Sequence, residues 1–496
     1  MAATAGPAAQ GERKLLIRGG MVLLDSNREP RRADVLVHDG AIVRVGRDLE
    51  HERGTEVLDA SDHLVMPGLV NAHTHTHNSL ARGAIDGLPL ELWLLELGAR
   101  IANRSPRELY VAAAIGAIEM AKTGTTCACD MAAVLPWPTD EALDAIIQAY
   151  RDVGLRVSFA PQIADRPFID SFPGLRDLLP TSIRAQLADA PPYPTAEVLA
   201  TIRSAIDRWH GTDNGRVRVG IAVSIVTLCT ADLLDGCREI VDRQGVTFQT
   251  HLSETKATAG AARMIYGSSP TAKLQEVGLL GPNTLLAHCV WLEDDELEMV
   301  AEARSSIAHN PISNLKLGAG IAPLRKMLDR GCNVALGTDG SASSDNQNLF
   351  GVLREAAILH RVVNSDHATW PSAGEVVEMA TSNGARAAGF SDVGSIAPGK
   401  RADLALLDLG ATYFHPRNDL VAQLVHAEVG SSVRTVLVDG RVIVRDGRMT
   451  TVDEGALLAE ANEIGRRVSR EVRGALASAR RLQPYVRQAA TEAAAW

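Results

Sequence analysis

Between Gly68 and Gly340 the sequence repeats one pattern: a short apolar run, then a longer stretch with apolar residues at helical spacing. The runs are GLVNAHTHTH, TTCACDM, RVSFAPQ, VRVGIAVS, VTFQTHLSE, TLLAHCVW, SSIAHNPIS and NVALGTDG, eight in all. Continuous apolar runs mark strands buried on both faces, as in parallel sheets. The intervening ELYVAAAIGAIEMAKTG and EALDAIIQAYRDVG read as crossover helices ending in glycine. Eight such units predict an α/β fold, a TIM-like (β/α)8 barrel.

A second pattern frames the first. From Leu15 to Met66 the chain reads LLIRGGMVLL, ADVLVHDGAIVRVG and TEVLDASDHLVM, short strands divided by turn residues. The same style returns in ADLALLDL and VRTVLVDGRVIVRDG, where Asp439-Gly440 and Asp446-Gly447 mark tight hairpins. Two β segments separated by roughly 320 residues predict a small β-sandwich domain that the chain leaves and re-enters. The expected domains are residues 14–67 plus 394–450 for the sandwich, 68–393 for the barrel and 451–496 for a C-terminal helical extension. The stretch from Ala164 to Thr195, rich in Pro and Asp, is expected to be a long loop shaping the substrate pocket.

Polar residues fall at the C-terminal ends of these runs, and in a barrel those ends converge. His73 and His75 end the first run; alternate residues of a strand share a face, so two imidazoles can meet one ion. Solvent-facing histidines in a loop are the competing reading, but apolar PGLV leads directly into the motif. His251 ends the fifth run, and Glu254 follows as a carboxylate able to lean over a water without binding the ion. Asp339, between Thr338 and Gly340, is a plain turn residue in isolation and a fourth ligand in this company. The expected metal set is His73, His75, His251 and Asp339. Three neutral imidazoles and one carboxylate suit one divalent ion, zinc first and ferrous iron second. They leave a position for water, whose pKa falls from 15.7 towards about 7. His288, in Leu-Leu-Ala-His-Cys, is either a buried histidine satisfied by backbone or the group that holds the attacking nucleophile. His309, in Ala-His-Asn-Pro, is either a pocket wall or a structural turn. Some barrel hydrolases bridge two metals with a carbamylated lysine on strand four; between Lys122 and Lys256 there is no lysine, which excludes that centre.

Composition removes other classes. A formal net charge of −10 gives no basic footprint for nucleic acid or anionic lipid. The opening MAATAGPAAQGERK lacks a signal-peptide core, and nowhere do about 18 uncharged apolar residues run together. The expectation is a cytoplasmic protein with a small-molecule substrate and neither membrane nor nucleic acid as partner. Of six cysteines only Cys127 and Cys129 are close-spaced, one residue short of CxxC, so all six are expected to be reduced, buried and structural.

PGLVNAHTH, HLSET, LLAHC, AHNPISNLKLGAGIAPL and LGTDG, followed by NGARAAG and GSIAPGKRADLALLDL, resemble the amidohydrolase superfamily. The resemblance is to the branch holding atrazine chlorohydrolase, guanine deaminase and the methylthioadenosine and S-adenosylhomocysteine deaminases, and it runs over nearly the whole chain. It implies a barrel with a β-sandwich, one zinc or iron, a homo-oligomer of two or more chains, and hydrolytic replacement of an amino group or halide on a nitrogen heterocycle. Cleavage of an exocyclic amide, urea, carbamate or hydantoin bond is the second reading, and an inactive barrel scaffold a remote third. The expected catalytic residues are Glu254, which moves a proton from the water to a ring nitrogen, Asp339, which takes the second proton, and His288, which orients the nucleophile. His77, Asn78, Trp93 and His309 are the candidate substrate contacts. The pattern departs from the nucleoside deaminases at Val223-Ser224-Ile225-Val226, where that group has Pro-His-Ser-Pro, and at Ala102, where it carries a ribose-binding glutamate. Both departures count against a nucleoside substrate.

Overall fold

A computed structural model describes residues 13–26, 29–188 and 193–496. Its central sheet is built from eight parallel strands in chain order: β1 (Leu69–Thr74), β2 (Thr125–Ala133), β3 (Arg156–Ile163), β4 (Ile221–Val223), β5 (Phe248–Leu252), β6 (Thr284–His288), β7 (Ser306–His309) and β8 (Asn333–Leu336). The fourth apolar run does not form one strand. It breaks at Gly220, where an added Cβ would strike the Thr247 carbonyl; Val217–Val219 pairs with β3, and β4 continues to β5. No ladder joins β8 to β1. The gap is closed instead by the Asp339 N–H donating to the His73 carbonyl (2.9 Å) and by Asn71, which binds Thr338 through both ends of its amide (2.7 and 3.0 Å). Small residues fill the bottom of the barrel: Val70, Ala72, Cys127, Cys129, Ala308 and Ala335 pack onto Phe390 and Ala385. All six cysteines are free and buried.

The terminal segments form a separate nine-stranded sheet, in which His63–Pro67 pairs antiparallel with Leu404–Asp408. That pairing joins the two ends of the chain across the whole barrel insert. Leu15, Ile17, Val35, Val65, Leu404 and Leu406 supply its own apolar core. Both Asp-Gly pairs turn hairpins with positive φ at each residue, the geometry of a two-residue turn whose twist matches the strands. Arg156, at the base of β3, reaches this sheet with two hydrogen bonds to Asp403 (2.7 and 3.1 Å), both side chains being almost wholly buried. Asp403 also accepts from the Asp439 N–H (2.8 Å). Removing the cation strands a buried carboxylate. Arg156→Ala is therefore expected to destabilise the chain by about 3–5 kcal/mol, seen as a lower thermal midpoint, whereas removing an exposed partner such as Arg445 should change it by less than about 1 kcal/mol.

Five helices matter for the site. They are α1 (Leu90–Ile101), α2 (Pro106–Lys122), α3 (Lys256–Tyr266), α4 (Glu454–Glu471) and α5 (Arg473–Ala493). Helix α2 starts on a Ser105/Glu108 capping box with Pro at the first turn, and α4 on the Asp453 side chain. The last two helices lie along the barrel: α4 pairs Arg467 with Glu108 (2.7 Å) on α2, and α5 packs on α1 and α3. Gly260 on α3 permits this approach, since a Cβ there would collide with the Ala493 carbonyl. The segment expected to be a loop from Ala164 to Thr195 instead carries short helices at Phe168–Asp170, Leu175–Leu178 and Thr181–Ala188, and residues 189–192 lie outside the described set. Ile169, Phe172, Leu175 and Leu179 are buried against Leu92 and the α5 residues Val486 and Ala489, so tertiary burial supplies what weak periodicity did not show. No helix among the described residues is long and apolar enough to cross a membrane.

Candidate metal centre and active site

The strand ends bring four histidines and a carboxylate together at the barrel's C-terminal face. His73, His251 and His288 have ring nitrogens within 4.8 Å of one another, and His73, His75 and Asp339 form a second group on the same criterion. The His75 and His251 Nε2 atoms are 3.2 Å apart, and Asp339 Oδ1 lies 3.4 Å from His75 Nε2 and 3.7 Å from His73 Nε2. Three imidazoles are oriented from behind. His75 Nδ1–H donates to the Met131 carbonyl (2.5 Å), His251 Nδ1–H to the Ser224 carbonyl (2.7 Å) and His288 Nδ1–H to Asn314 Oδ1 (2.8 Å). A carbonyl only accepts, so it fixes the tautomer and turns the Nε2 lone pair inward, as outer-shell partners do for metal-binding histidines. His73 is fully buried, and neither of its ring nitrogens has a hydrogen-bond partner among the described residues. Buried polar groups without a partner are rare, and an ion at Nε2 is the kind of partner this one fits.

Electrostatics agree with this geometry. Burial pushes His73 well below the usual histidine range, helped by the neighbouring His75, His251 and His288; burial also lowers His288 and takes His251 down to about 3. Neutral imidazole is the ligand form. Burial raises Asp339, but the facing His75, His288 and His251 outweigh it and hold the carboxyl below its ordinary value. Glu254 goes the other way: burial, then the negative charges of Asp339 and Glu91, drive it well above the usual carboxylate range. Neighbouring groups thus push two carboxyls in opposite directions, one towards weaker and one towards stronger proton affinity, the kind of separation that acid–base sites use. Glu254 Oε1 is 3.7 Å from His288 Nδ1.

The backbone is bent to make this arrangement. His288 (φ 73°), Asp339 (φ 61°), Ser253 (φ 46°) and Cys289 (φ 51°) all take the left-handed conformation that side chains disfavour. Four such residues at adjoining strand ends are strain concentrated where side chains must converge. A buried polar lattice holds the two ligand-bearing strands in register. Gln347, with no exposed surface, accepts from Thr74 and Thr338 (both 2.7 Å) and donates to the Asp339 carbonyl (2.8 Å). Below His75, buried Asp130 accepts from the Thr76 N–H (3.1 Å), the Thr76 hydroxyl and Tyr150 (3.0 Å).

A cavity of about 290 Å³ opens onto the cluster, bordered by His75, His251, Glu254, His288 and Asp339. Of the candidate substrate contacts, His77, Asn78 and Trp93 border it. His309 does not. Its neighbour Ala308 packs inside the barrel, so His309 points outward to the helix Leu349–Val363, where its Nε2 lies 3.4 Å from His360 Nε2. Ala102 ends α1 and does not border the cavity, and Ser224 acts on His251 through its backbone. Sequence reading missed Gln347, Thr338, Asn314 and Asp130. Asn314 and Thr338 stood within the conspicuous motifs AHNPISNLKLGAGIAPL and LGTDG, but Gln347 and Asp130 had only their residue type as a signal.

A model of the amidohydrolase family matches residues 64–443. The 5'-deoxyadenosine deaminase of Methanothermobacter thermautotrophicus is 35% identical over 434 residues, covering 87% of this chain and 94% of that protein. The 5-methylthioadenosine/S-adenosylhomocysteine deaminase of Moorella thermoacetica is 35% identical over 409 residues, 82% of this chain and 88% of that one. Among solved structures, zinc-complexed atrazine chlorohydrolase from Arthrobacter aurescens superposes with a TM-score of 0.83 at 28% identity, over 91% of this chain and 100% of that one. A zinc-bound adenosine deaminase from Xanthomonas campestris gives 0.80 at 28% identity, over 92% and 99%.

Proposed function

From the premise that this chain belongs to the amidohydrolase family, we propose the roles by which it acts as a hydrolase on an amino- or halo-substituted nitrogen heterocycle. The hydrolytic class itself, deaminase or dechlorinase, is common to the deaminase and chlorohydrolase relatives. The observation that carries the reading is the meeting of a buried histidine cluster and Asp339 with Glu254, a carboxyl of raised proton affinity, beside one cavity.

His73, His75, His251 and Asp339 would hold one divalent ion per chain, zinc, with His288 beside them. The ion supplies a Lewis acid that makes water a competent nucleophile near neutral pH. Glu254 takes the proton from the attacking water and delivers it to a ring nitrogen, which makes the adjacent carbon electrophilic. Asp339 receives the second proton and passes it to a departing amine. His288, held by Asn314, orients the nucleophile and stabilises the tetrahedral adduct. The Gln347 lattice keeps Asp339 facing His73 and His75. Gln347→Met should therefore weaken metal retention about 10- to 100-fold in a chelator competition, the usual cost of losing an outer-shell partner.

The division at 14–67 plus 394–450, 68–393 and 451–496 is proposed as the domain structure. A cytoplasmic homo-oligomer without nucleic acid is the accompanying proposal, which light scattering of the purified protein tests. For the reaction itself, zinc-loaded protein is incubated with aminated and chlorinated heterocycles beside matched amides and ureas. Ammonia or chloride release is expected from the first group. Amine release from the second group alone would replace ring hydrolysis by exocyclic C–N cleavage.

A further inference from the structure

We infer that the cavity selects an uncharged heterocycle bearing alkyl or aryl substituents and rejects its nucleoside counterpart, an inference that rests on the hydrolytic reading above. One face of α1 forms a wall: Leu90, Trp93, Leu94, Leu97 and Ile101, spaced three, four and seven residues apart, all border the cavity. Phe168, Leu135, Ile163, Ile225 and Leu317 line other sides. Among the described residues no Lys or Arg borders it, and the carboxylates that do, Glu254 and Asp339, belong to the histidine cluster. A substrate with a charged tail would find no counter-ion.

The remaining polar side chains are few. His77 Nδ1 accepts from the Ala133 N–H (3.3 Å), and the Thr258 hydroxyl is taken up in capping α3. Asn78, Gln162, Ser224 and the Trp93 Nε1–H, which has no hydrogen-bond partner among the described residues, are left. Asn78 is buried, and its amide N–H₂ has no partner among the described residues, so it offers a donor to a ring nitrogen or a ring carbonyl. The vicinal hydroxyls of a ribose are donors as well as acceptors, and dinucleotide sites meet them with an acidic side chain. Here no acidic side chain among the described residues borders the cavity outside the histidine cluster, and hydroxyls pressed against the Leu and Ile side chains of α1 lose their water without replacement. An alkyl group in the same place gains from the same burial.

The wall cannot simply withdraw. Behind it, Glu96 takes two hydrogen bonds from Arg480 of α5 (2.8 and 3.3 Å), and Leu92 packs on Val486 and Ala489. At the other end, buried Glu91 accepts from Thr255 (2.7 Å), the residue after Glu254, so the wall and the proton carrier are tied together. Relatives named for nucleoside substrates share 35% of their sequence with this chain, yet these wall residues set a different preference.

The test uses zinc-loaded full-length protein and matched pairs with one ring and one leaving group. Adenosine is set against 9-isobutyladenine, and a chlorotriazine with isopropylamino arms against one with dihydroxypropylamino arms. The apolar member of each pair should have kcat/KM higher by about 10²-fold, most of it in KM, the scale on which an apolar pocket discriminates a hydroxylated analogue. Leu97→Glu, which adds an acceptor to the wall, should narrow the ratio at least tenfold. Hydrolysis of both members at similar rates, or a preference for the hydroxylated one, overturns the inference while leaving the hydrolytic reading intact. If no ring is hydrolysed, that reading fails instead, and calorimetric titration of the same pairs decides the inference: equal or tighter binding of the hydroxylated member refutes it.

Discussion

Glu254→Gln is expected to keep the full complement of metal and to lose turnover by about 10²- to 10⁴-fold, the range that a positioned proton carrier contributes. The substitution suits the question because burial and two nearby carboxylates already hold Glu254 towards its protonated form. Gln keeps the shape of the side chain and brings no charge into the buried site, so the fold should survive. What it cannot do is release and regain a proton. Metal analysis and steady-state kinetics on the same preparation separate the two effects, and turnover near the wild-type rate would remove Glu254 from the reaction. Asp339→Asn provides the contrast, since it should lose both metal and activity.

Chelation carries the second large effect. Stripping the ion from the His73, His75, His251 and Asp339 cluster should abolish turnover by about 10³-fold or more, because several kcal/mol of charge stabilisation disappear and each 1.36 kcal/mol is tenfold. It should also lower the thermal midpoint. An ion that binds only the folded chain adds about 4 kcal/mol when its free concentration is a thousand times its dissociation constant. The buried His73, with neither ring nitrogen hydrogen-bonded among the described residues, would be left without that partner on removal. Zinc should restore both properties to the wild type and neither to His73→Ala. A protein shown to be metal-free that keeps its rate and its midpoint would refute the metal centre.

Much of this was legible in the residues. Parallel strands buried on both faces must be apolar, so eight runs announced the barrel, and seven of them became single strands; the fourth broke because Gly220 presses against Thr247. Strand-end histidines were visible because an apolar run ending in His-X-His is hard to place elsewhere. His309 shows where that logic stops. It too ends a strand, but strand parity turned it towards His360, and parity depends on the pairing register, which local sequence does not fix. The segment from Ala164 failed for a related reason: its short helices are held by Leu92, roughly 80 residues earlier, and by α5, about 300 residues later in sequence.

By itself, the sequence determined the α/β barrel, the terminal sheet with its Asp-Gly hairpins, and which residues are candidates for holding an ion, because periodicity and side-chain chemistry are local properties. Only the tertiary structure decided which nitrogen each histidine presents, since the Met131 and Ser224 carbonyls and Asn314 arrive from other strands and loops. It also decided the opposite shifts in proton affinity of Glu254 and Asp339, which both carry a carboxyl group and differ in their neighbours. The apolar wall of α1 belongs with these: Trp93 reads equally as core or pocket until the fold places a cavity against it.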